Sequence, residues 1–245
     1  MSNKNSKKMG TKAETLSNLS KLGYSIPKFY FFTVEDWGSS KDIILDKIKK
    51  TFTKNIKVAV RSSSINEDTE NTSMAGAFDS FLNIKVENDS LNEAISKVIK
   101  SFDLSPANQV LVQEMVNDVV MSGVVMTKVL DDGSPYYVLN YDDTTGKTDS
   151  VTSGNSINKT VYIYNGVSNN DFDSKLLLKV LKLVQSLEQT FDNIPIDIEF
   201  AVNKKNRVEL LQVRRITTGS LWDKDIHRNV SARIDYLKLF VQTIM

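Results

Sequence analysis

Pro195-Ile196-Asp197-Ile198-Glu199-Phe200, followed closely by Leu211-Gln212-Val213-Arg214, is the stretch from which the rest of the chain is best read. On a strand, residues two apart share a face, so Asp197 and Glu199 project together while Ile196, Ile198 and Phe200 turn the other way. The same alternation puts Gln212 with Arg214. Lys204-Lys205-Asn206 supplies a turn between two strand-like runs, Ile196 to Asn203 and Val208 to Ile216. If these runs pair as a hairpin, one surface carries two carboxylates, an amide oxygen and a guanidinium. That set suits a magnesium-bound polyphosphate, because Mg²⁺ takes hard oxygen ligands and arginine forks onto phosphate oxygens. A half-exposed strand face laced with cross-strand salt bridges is the competing account of the same alternation.

Composition narrows the setting. The 245 residues are 40% hydrophobic and 25% charged, enough to bury a substantial core in one large domain or two packed lobes. With 31 basic and 30 acidic side chains the net charge is +1, so no global field recruits nucleic acid or an anionic membrane, and any phosphate site must be local. The absence of cysteine removes disulfides, thiolate metal sites and cysteine nucleophiles, and His227 is the sole histidine. No apolar run reaches bilayer length and the polar start, Met1 to Lys8, lacks a signal-peptide core, so a cytoplasmic location is expected.

Working outward, residues 1–8 read as a mobile tail and Thr11 to Leu22 as a helix with Leu16, Leu19 and Leu22 on one face. Tyr24 to Thr33 reads as extended. Ser40 is expected to cap a helix carrying Ile43, Ile44, Ile48 and Phe52, and Ser90 with Glu93 has the capping-box spacing for another. Strands are predicted at Lys57 to Arg61 and Phe78 to Val86, joined by a segment too rich in hydroxyls to be core. Further strand-like runs at Gln109 to Val116, Gly123 to Leu130, Tyr136 to Tyr141 and Val161 to Tyr164 predict an antiparallel sheet in the second half. A helix over Ser174 to Phe191 precedes the opening hairpin, and a helix over 226–244 closes the chain. The expected organisation is α+β, with an N-terminal lobe over 9–105, a C-terminal lobe over 106–225 and a terminal helix over 226–245.

Three other segments carry polar chemistry. Val58-Ala59-Val60-Arg61 delivers an arginine and the hydroxyls Ser62, Ser63 and Ser64 toward a loop containing Ser73 and Gly76, where glycine permits close backbone approach to an anion. The plainer account is a serine-rich surface loop with Arg61 in an ordinary ion pair. Gly10-Thr11-Lys12 opens the first helix, where the lysine and the helix N-terminal amides are placed for a phosphate. Gln113-Glu114-Met115 ends a strand and suits an adenine hinge, its backbone groups bonding the base and Met115 packing on it. Each of these is also compatible with a plain strand end or a solvated lysine.

In collinear order these segments resemble the nucleotide-binding domain of phosphoenolpyruvate synthase, pyruvate phosphate dikinase and rifampicin phosphotransferase. Gly10-Thr11-Lys12 is similar to the family's Gly-Gly-Lys start, Val58 to Ser63 to its Val-Arg-Ser-Ser strand, and Ser73 to Leu82 to its small-residue loop. Val112 to Met115, Ser122 to Thr127, Asp197 to Phe200 and Leu211 to Arg214 extend the similarity across nearly the whole chain. The resemblance implies an ATP-grasp-like fold, two lobes with ATP and Mg²⁺ between them. It implies that Lys12 and Arg61 contact the triphosphate, that Asp197 and Arg214 position it, and that Glu199 with Gln212 hold the metal. Arg61 and Arg214 are then the catalytic pair, and Ser73, Gly76, Gln113, Glu114 and Met115 complete the nucleotide site. In the family a phosphoryl group passes from ATP to a histidine on a separate, swivelling domain, with release of AMP and phosphate, and then reaches a small-molecule acceptor bound elsewhere.

Two departures stand out. The family's Gln-x-Arg-Pro ending is Gln212-Val213-Arg214-Arg215 here, and the transfer histidine with its Thr-Ser-His context is missing, since His227 sits in Asp225-Ile226-His227-Arg228. The chain is therefore expected to be a fragment or one subunit of a split enzyme, working with a histidine-bearing partner domain and with neither nucleic acid nor membrane. A nucleotide-sensing module without transfer, or a structural domain whose charges are surface pairs, are the alternatives. The segment from Asn140 through Gly146 to Gly154 resembles the polysaccharide-associated subgroup that includes glutamine amide kinases.

Overall fold

A computed structural model describes residues 9–53, 55–64, 68, 69, 72, 73, 80–101, 105–148, 158–167, 172, 174–216, 222, 223 and 225–244. Helix α1 (Lys12–Lys21) begins where Thr11 and Glu14 form a reciprocal capping box, and it buries Ala13, Leu16 and Leu19. Strand β1 (Phe29–Thr33) leads directly into α2 (Val34–Thr51), whose cap is a second box between Thr33 and Asp36. The predicted start at Ser40 is instead a break inside α2, where Ser40 leaves helical geometry at φ −143. Strand β2 (Lys57–Ser63), the two-residue strands β3 (Asp68–Thr69) and β4 (Thr72–Ser73), and β5 (Ser80–Lys85) precede α3 (Asn88–Lys100). Ser90 lies within that helix, which starts at Asn88 without a side-chain cap.

The second half begins with β6 (Gln109–Glu114), β7 (Val119–Met126), β8 (Tyr136–Asp142) and β9 (Lys159–Tyr164). Helix α4 (Lys175–Thr190) follows, capped by Ser174, then β10 (Ile196–Asn203), β11 (Val208–Arg215) and α5 (Ile226–Ile244). One sheet has the order β1-β6-β2-β5 and the other β11-β10-β7-β8-β9. Strand β6, expected with the second half, pairs between β1 and β2 in the first sheet, because its two faces serve two different cores. Val110 and Val112 face α2 and α3 together with Phe32, Val58 and Val60, while Leu111 joins the core that contains α1 and the second sheet. Period-2 alternation therefore gives the first sheet an outer face of valines and an inner face that includes Ala59, Arg61, Ser63, Gln109 and Gln113.

The second sheet packs one face on α4 through Val180, Leu181, Val184 and Leu187, against Leu139, Ile196, Ile198 and Phe200. A polar tie sits at the edge of this layer, where the Tyr137 hydroxyl donates to Glu188 Oε2 at 2.6 Å. Burial raises the Glu188 carboxyl above its ordinary range, with the Tyr137 bond and the charge of Lys128 pulling the other way. Turns that feed β10 and β11 use residues tolerant of left-handed backbone: Asp192 and Asn193 before β10, and Asn206 between the two strands, all near φ +55 to +59. Asp118 does the same between β6 and β7. Helix α5 buries none of its residues, and the Tyr164 hydroxyl bonds Ser231 Oγ at its base. No described helix is long and apolar enough to cross a membrane.

Close packing of β7 on β8 depends on Gly123. A Cβ there would collide with the Asn140 carbonyl oxygen and lie 2.8 Å from Tyr141 Cβ, both in the paired strand. Gly123→Ala is therefore expected to lower unfolding free energy by about 1–3 kcal/mol, the usual range for overpacking. Urea unfolding checks this, and an unchanged midpoint would show that the strands can separate at no cost.

Candidate functional site

The geometry of β10 and β11 assembles the site. In the register Asp197 lies opposite Arg214 and Glu199 opposite Gln212, so the four side chains share the face away from α4. A bulge between Glu199 and Phe200 follows immediately. Without it, strict alternation from Gln212 would turn Leu210 to the polar face; with it, Leu210 and Val213 both reach the core. Thr127 at the end of β7 locks the start of β10, its hydroxyl accepting from the Ile196 amide at 2.9 Å while its own amide donates to the Ile196 carbonyl at 3.0 Å. Arg214 grips Asp197 through Nε at 2.7 Å and Nη2 at 2.6 Å, both on Oδ2. Asp197 and Gln212 are buried. The competing account, an exposed strand face of surface pairs, does not fit this burial.

Opposite this face stands the inner face of the first sheet. Arg61, on β2, reaches across and places Nη1 3.1 Å from Glu199 Oε2, an ion pair whose side chains are 13% and 21% exposed. The two lobes thus meet at the charges expected to handle a polyphosphate. Arg61 Nε and the Gln113 amide nitrogen are buried with no hydrogen-bond partner among the described residues. Both are donors, both lie on the inner face, and each is suited to an acceptor-rich ligand such as phosphate or a nucleobase.

Around this centre several expectations change. Ser62, Ser63 and Ser64 are buried rather than lining an open anion loop. The Ser63 hydroxyl accepts from the Ala13 amide at 3.0 Å, and Ser64 donates to Asn108 Oδ1 at 2.9 Å, so two of these hydroxyls fasten α1 and the approach to β6. The N-terminal amides of α1 are taken in the same way: Ala13 by Ser63 and Glu14 by Thr11. Lys12 occupies the first helical position and is half-buried. Ser73 falls in β4, where its backbone pairs with Asp68, and Gly76 lies outside the described residues. At the hinge, the Glu114 and Met115 amides donate to the carbonyls of Lys28 and Lys57 at 2.8 and 2.9 Å.

Glu114 and Met115 also line a cavity of about 510 Å³, with Pro27, Lys28, Lys205 and Arg207 among the other walls. It does not extend to Arg61, Glu199, Gln212 or Arg214, which fits the Arg61–Glu199 contact closing that part of the cleft. Residues that sequence reasoning did not single out are Gln109, which accepts from Thr11 at 2.7 Å and donates to Glu14 at 3.1 Å, and Asn140 on β8. A polar side chain in an otherwise apolar strand was the available signal for both.

Comparison with known proteins gives a matching family model and shared folds. Residues 42–141 match the family described as pyruvate phosphate dikinase, AMP/ATP-binding domain. An uncharacterized phosphotransferase of Bacillus subtilis, YvkC, is 29% identical over 231 aligned residues, covering 74% of this chain and 27% of the relative. The fold is shared with the D-alanine-D-alanine ligase of Coxiella burnetii, at TM-score 0.51 and 11% identity over 85% of this chain and 49% of that one. It is shared also with the VanG D-Ala:D-Ser ligase of Enterococcus faecalis, at TM-score 0.50 and 12% identity over 89% and 56%. The chain spans about a quarter of the length of the phosphotransferase and about half that of the ligases. Over residues 42–141 the chain is similar to that AMP/ATP-binding domain, and its fold is of the ATP-grasp type.

Because Arg61 and Glu199 are partly buried and face each other across the lobes, their contributions to stability should not add. A double-mutant cycle of Arg61→Ala and Glu199→Ala is expected to give a coupling of about 0.5–3 kcal/mol in urea unfolding. Additivity within error would mean that the two lobes are not held at this contact.

Proposed function

We propose that this domain binds ATP as its Mg²⁺ complex between the two sheets and donates a phosphoryl group to a histidine on a separate domain, for onward transfer to a small acceptor. The observation that carries the proposal is the convergence of Asp197, Glu199, Gln212 and Arg214 on one largely buried face directly opposite Arg61. A carboxylate and an amide oxygen side by side, Glu199 and Gln212, form the donor set a magnesium ion takes while leaving coordination positions to phosphates. That ion would neutralise charge on the polyphosphate during transfer.

The remaining work falls to side chains of this chain. Arg61 and Lys12 bind the triphosphate, Arg61 releasing or sharing Glu199 as its guanidinium turns to phosphate oxygens. Arg214 is held by Asp197 in one orientation, which pre-organises its guanidinium for a phosphate at little further entropic cost. Gln113 offers its unpartnered nitrogen to the nucleotide, while Glu114 and Met115 form the adenine end. In the overall balance ATP, a histidine nitrogen and water become AMP, phosphate and phosphohistidine. The bond between the α and β phosphoryl groups breaks, a nitrogen–phosphorus bond forms at the β phosphorus, and water takes the γ phosphoryl group. His227 is exposed in the first turn of α5 and has no part in this scheme.

Mg-ATP should stabilise the chain by mass action, about 2.7 kcal/mol at a ligand concentration one hundred times Kd. Thermal melts with ATP, with and without Mg²⁺, read this out. Glu199→Ala and Gln212→Ala are expected to abolish the Mg²⁺-dependent part of the shift while the proteins remain folded. A folded wild-type chain that shows no shift at millimolar Mg-ATP would exclude the nucleotide site.

The isolated chain is further expected to bind ATP without sustained turnover. Incubation with ATP labelled in the β phosphate should leave the chain unlabelled. Addition of the histidine-bearing domain should release AMP and place acid-labile, base-stable label on that domain, with His227→Ala having no effect. AMP release by the chain alone, abolished by His227→Ala, would make His227 the acceptor and overturn the split arrangement.

A further inference from the structure

The second sheet carries one more oxygen on the cleft face. Val124 of β7 lies opposite Glu199 on one side and Asn140 of β8 on the other, so Gln212, Glu199, Val124 and Asn140 form a single row across four strands. The neighbours of Asn140 along its strand, Leu139 and Tyr141, belong to the core beneath the sheet, which fixes Asn140 on the opposite, nucleotide-facing side. Two strand spacings separate it from Glu199, roughly 10 Å between backbones, a gap that a carboxylate and an amide reaching over the small Val124 side chain can close around one hydrated ion.

Asn140 Oδ1 is shielded from solvent and accepts no hydrogen bond among the described residues. Buried amide oxygens are normally satisfied, and Val124 has nothing to donate. Thr160, the next residue in the row beyond Asn140, lies on β9 at the exposed edge of the sheet. What an unsatisfied hard oxygen takes, in line with a carboxylate and a second amide oxygen, is a divalent cation or a water bound to one.

We infer that Asn140 is a further oxygen ligand, direct or through a bound water, of the divalent cation at the nucleotide site. The inference rests on the Mg-nucleotide function proposed above and adds to it a residue from β8, outside the β10–β11 hairpin. Since the cation is shared with the polyphosphate, Asn140 tunes how much Mg²⁺ the site needs while leaving metal-free nucleotide contacts alone.

Calorimetric titration of the chain with ATP at a series of Mg²⁺ concentrations, and in EDTA, tests this, with direct Mn²⁺ binding as a second readout. Asn140→Leu is expected to raise the Mg²⁺ concentration for half-maximal ATP binding about 10-fold or more and to weaken Mn²⁺ correspondingly, with ATP affinity in EDTA unchanged. Asn140→Asp keeps an oxygen at the same place and should match or lower the wild-type requirement. If the wild type binds no Mg-ATP, the parent function fails and this inference with it. If the wild type binds in a Mg²⁺-dependent way and the Leu variant keeps the same dependence, or loses affinity equally in Mg²⁺ and in EDTA, Asn140 is no cation ligand. Should the Leu variant not fold, an Asp variant that binds ATP with a raised Mg²⁺ requirement would overturn the assignment by itself.

Discussion

The register of β10 against its two neighbours is the constraint on which both the core and the site depend. Strand β10 is paired on each edge, with β7 on one side and β11 on the other, and its alternation sends Ile196, Ile198 and Phe200 into the core and Asp197 and Glu199 into the cleft. A slip of one residue would bury two carboxylates against α4 and expose three large apolar side chains, so the hydrophobic effect that builds the core also aims the charges. The Thr127 hydroxyl at the start of the strand and the bulge after Glu199 adjust this arrangement locally. Site and core are one structure seen from its two faces.

Across the cleft the same economy recurs in the first sheet. Strand β2 buries Val58 and Val60 outward and presents Ala59, Arg61 and Ser63 inward, which leaves Arg61 no alternative but to meet the second lobe. Its contact with Glu199 links the two sheets by a pair of opposite charges in a region of reduced solvent. Such a pair is weakly favourable on balance, since desolvation offsets much of the attraction. A polyanion with a divalent cation can therefore replace it at low cost, each ion of the ligand taking over the partner of the other sign.

Much of this was legible from pattern alone. The period-2 runs at Ile196 to Asn203 and Lys57 to Arg61 became strands at those places, and the polar pairs Asp197 with Glu199 and Gln212 with Arg214 share a face as their spacing required. Boundaries failed where two signals competed. Ser90 with Glu93 has capping spacing, yet packing of Leu91, Ala94, Ile95 and Val98 carries α3 back to Asn88. Serine's cap preference points to a start at Ser40, whereas the Thr33–Asp36 box upstream satisfies the helix amides and leaves Ser40 as a break. The hydroxyl-rich end of β2 was misjudged for a different reason: local polarity cannot reveal that Ser63 and Ser64 find partners 50 and 44 residues away. Strand β6 went to the other sheet because pairing partners, unlike strand character, are non-local.

Under the proposed function, the distribution of used and unused donors decides how this cleft would recognise a nucleotide. Backbone amides that a phosphate or a base would ordinarily exploit, at the start of α1 and at residues 114 and 115, are already bonded to Ser63, Thr11, Lys28 and Lys57. Those bonds give the cleft its shape, and breaking them to bind a ligand would cost what they contribute to folding. The buried polar atoms without a partner among the described residues include side-chain atoms on both sheets: Arg61 Nε and the Gln113 amide nitrogen on the first, and Asn140 Oδ1 on the second. Side chains can turn or exchange partners within a fixed backbone, whereas amides cannot. Under the proposed function, a site built this way would rearrange side chains rather than its backbone frame on binding, and its affinity would depend on a metal shared between the side chains of one sheet and the phosphates held by the other.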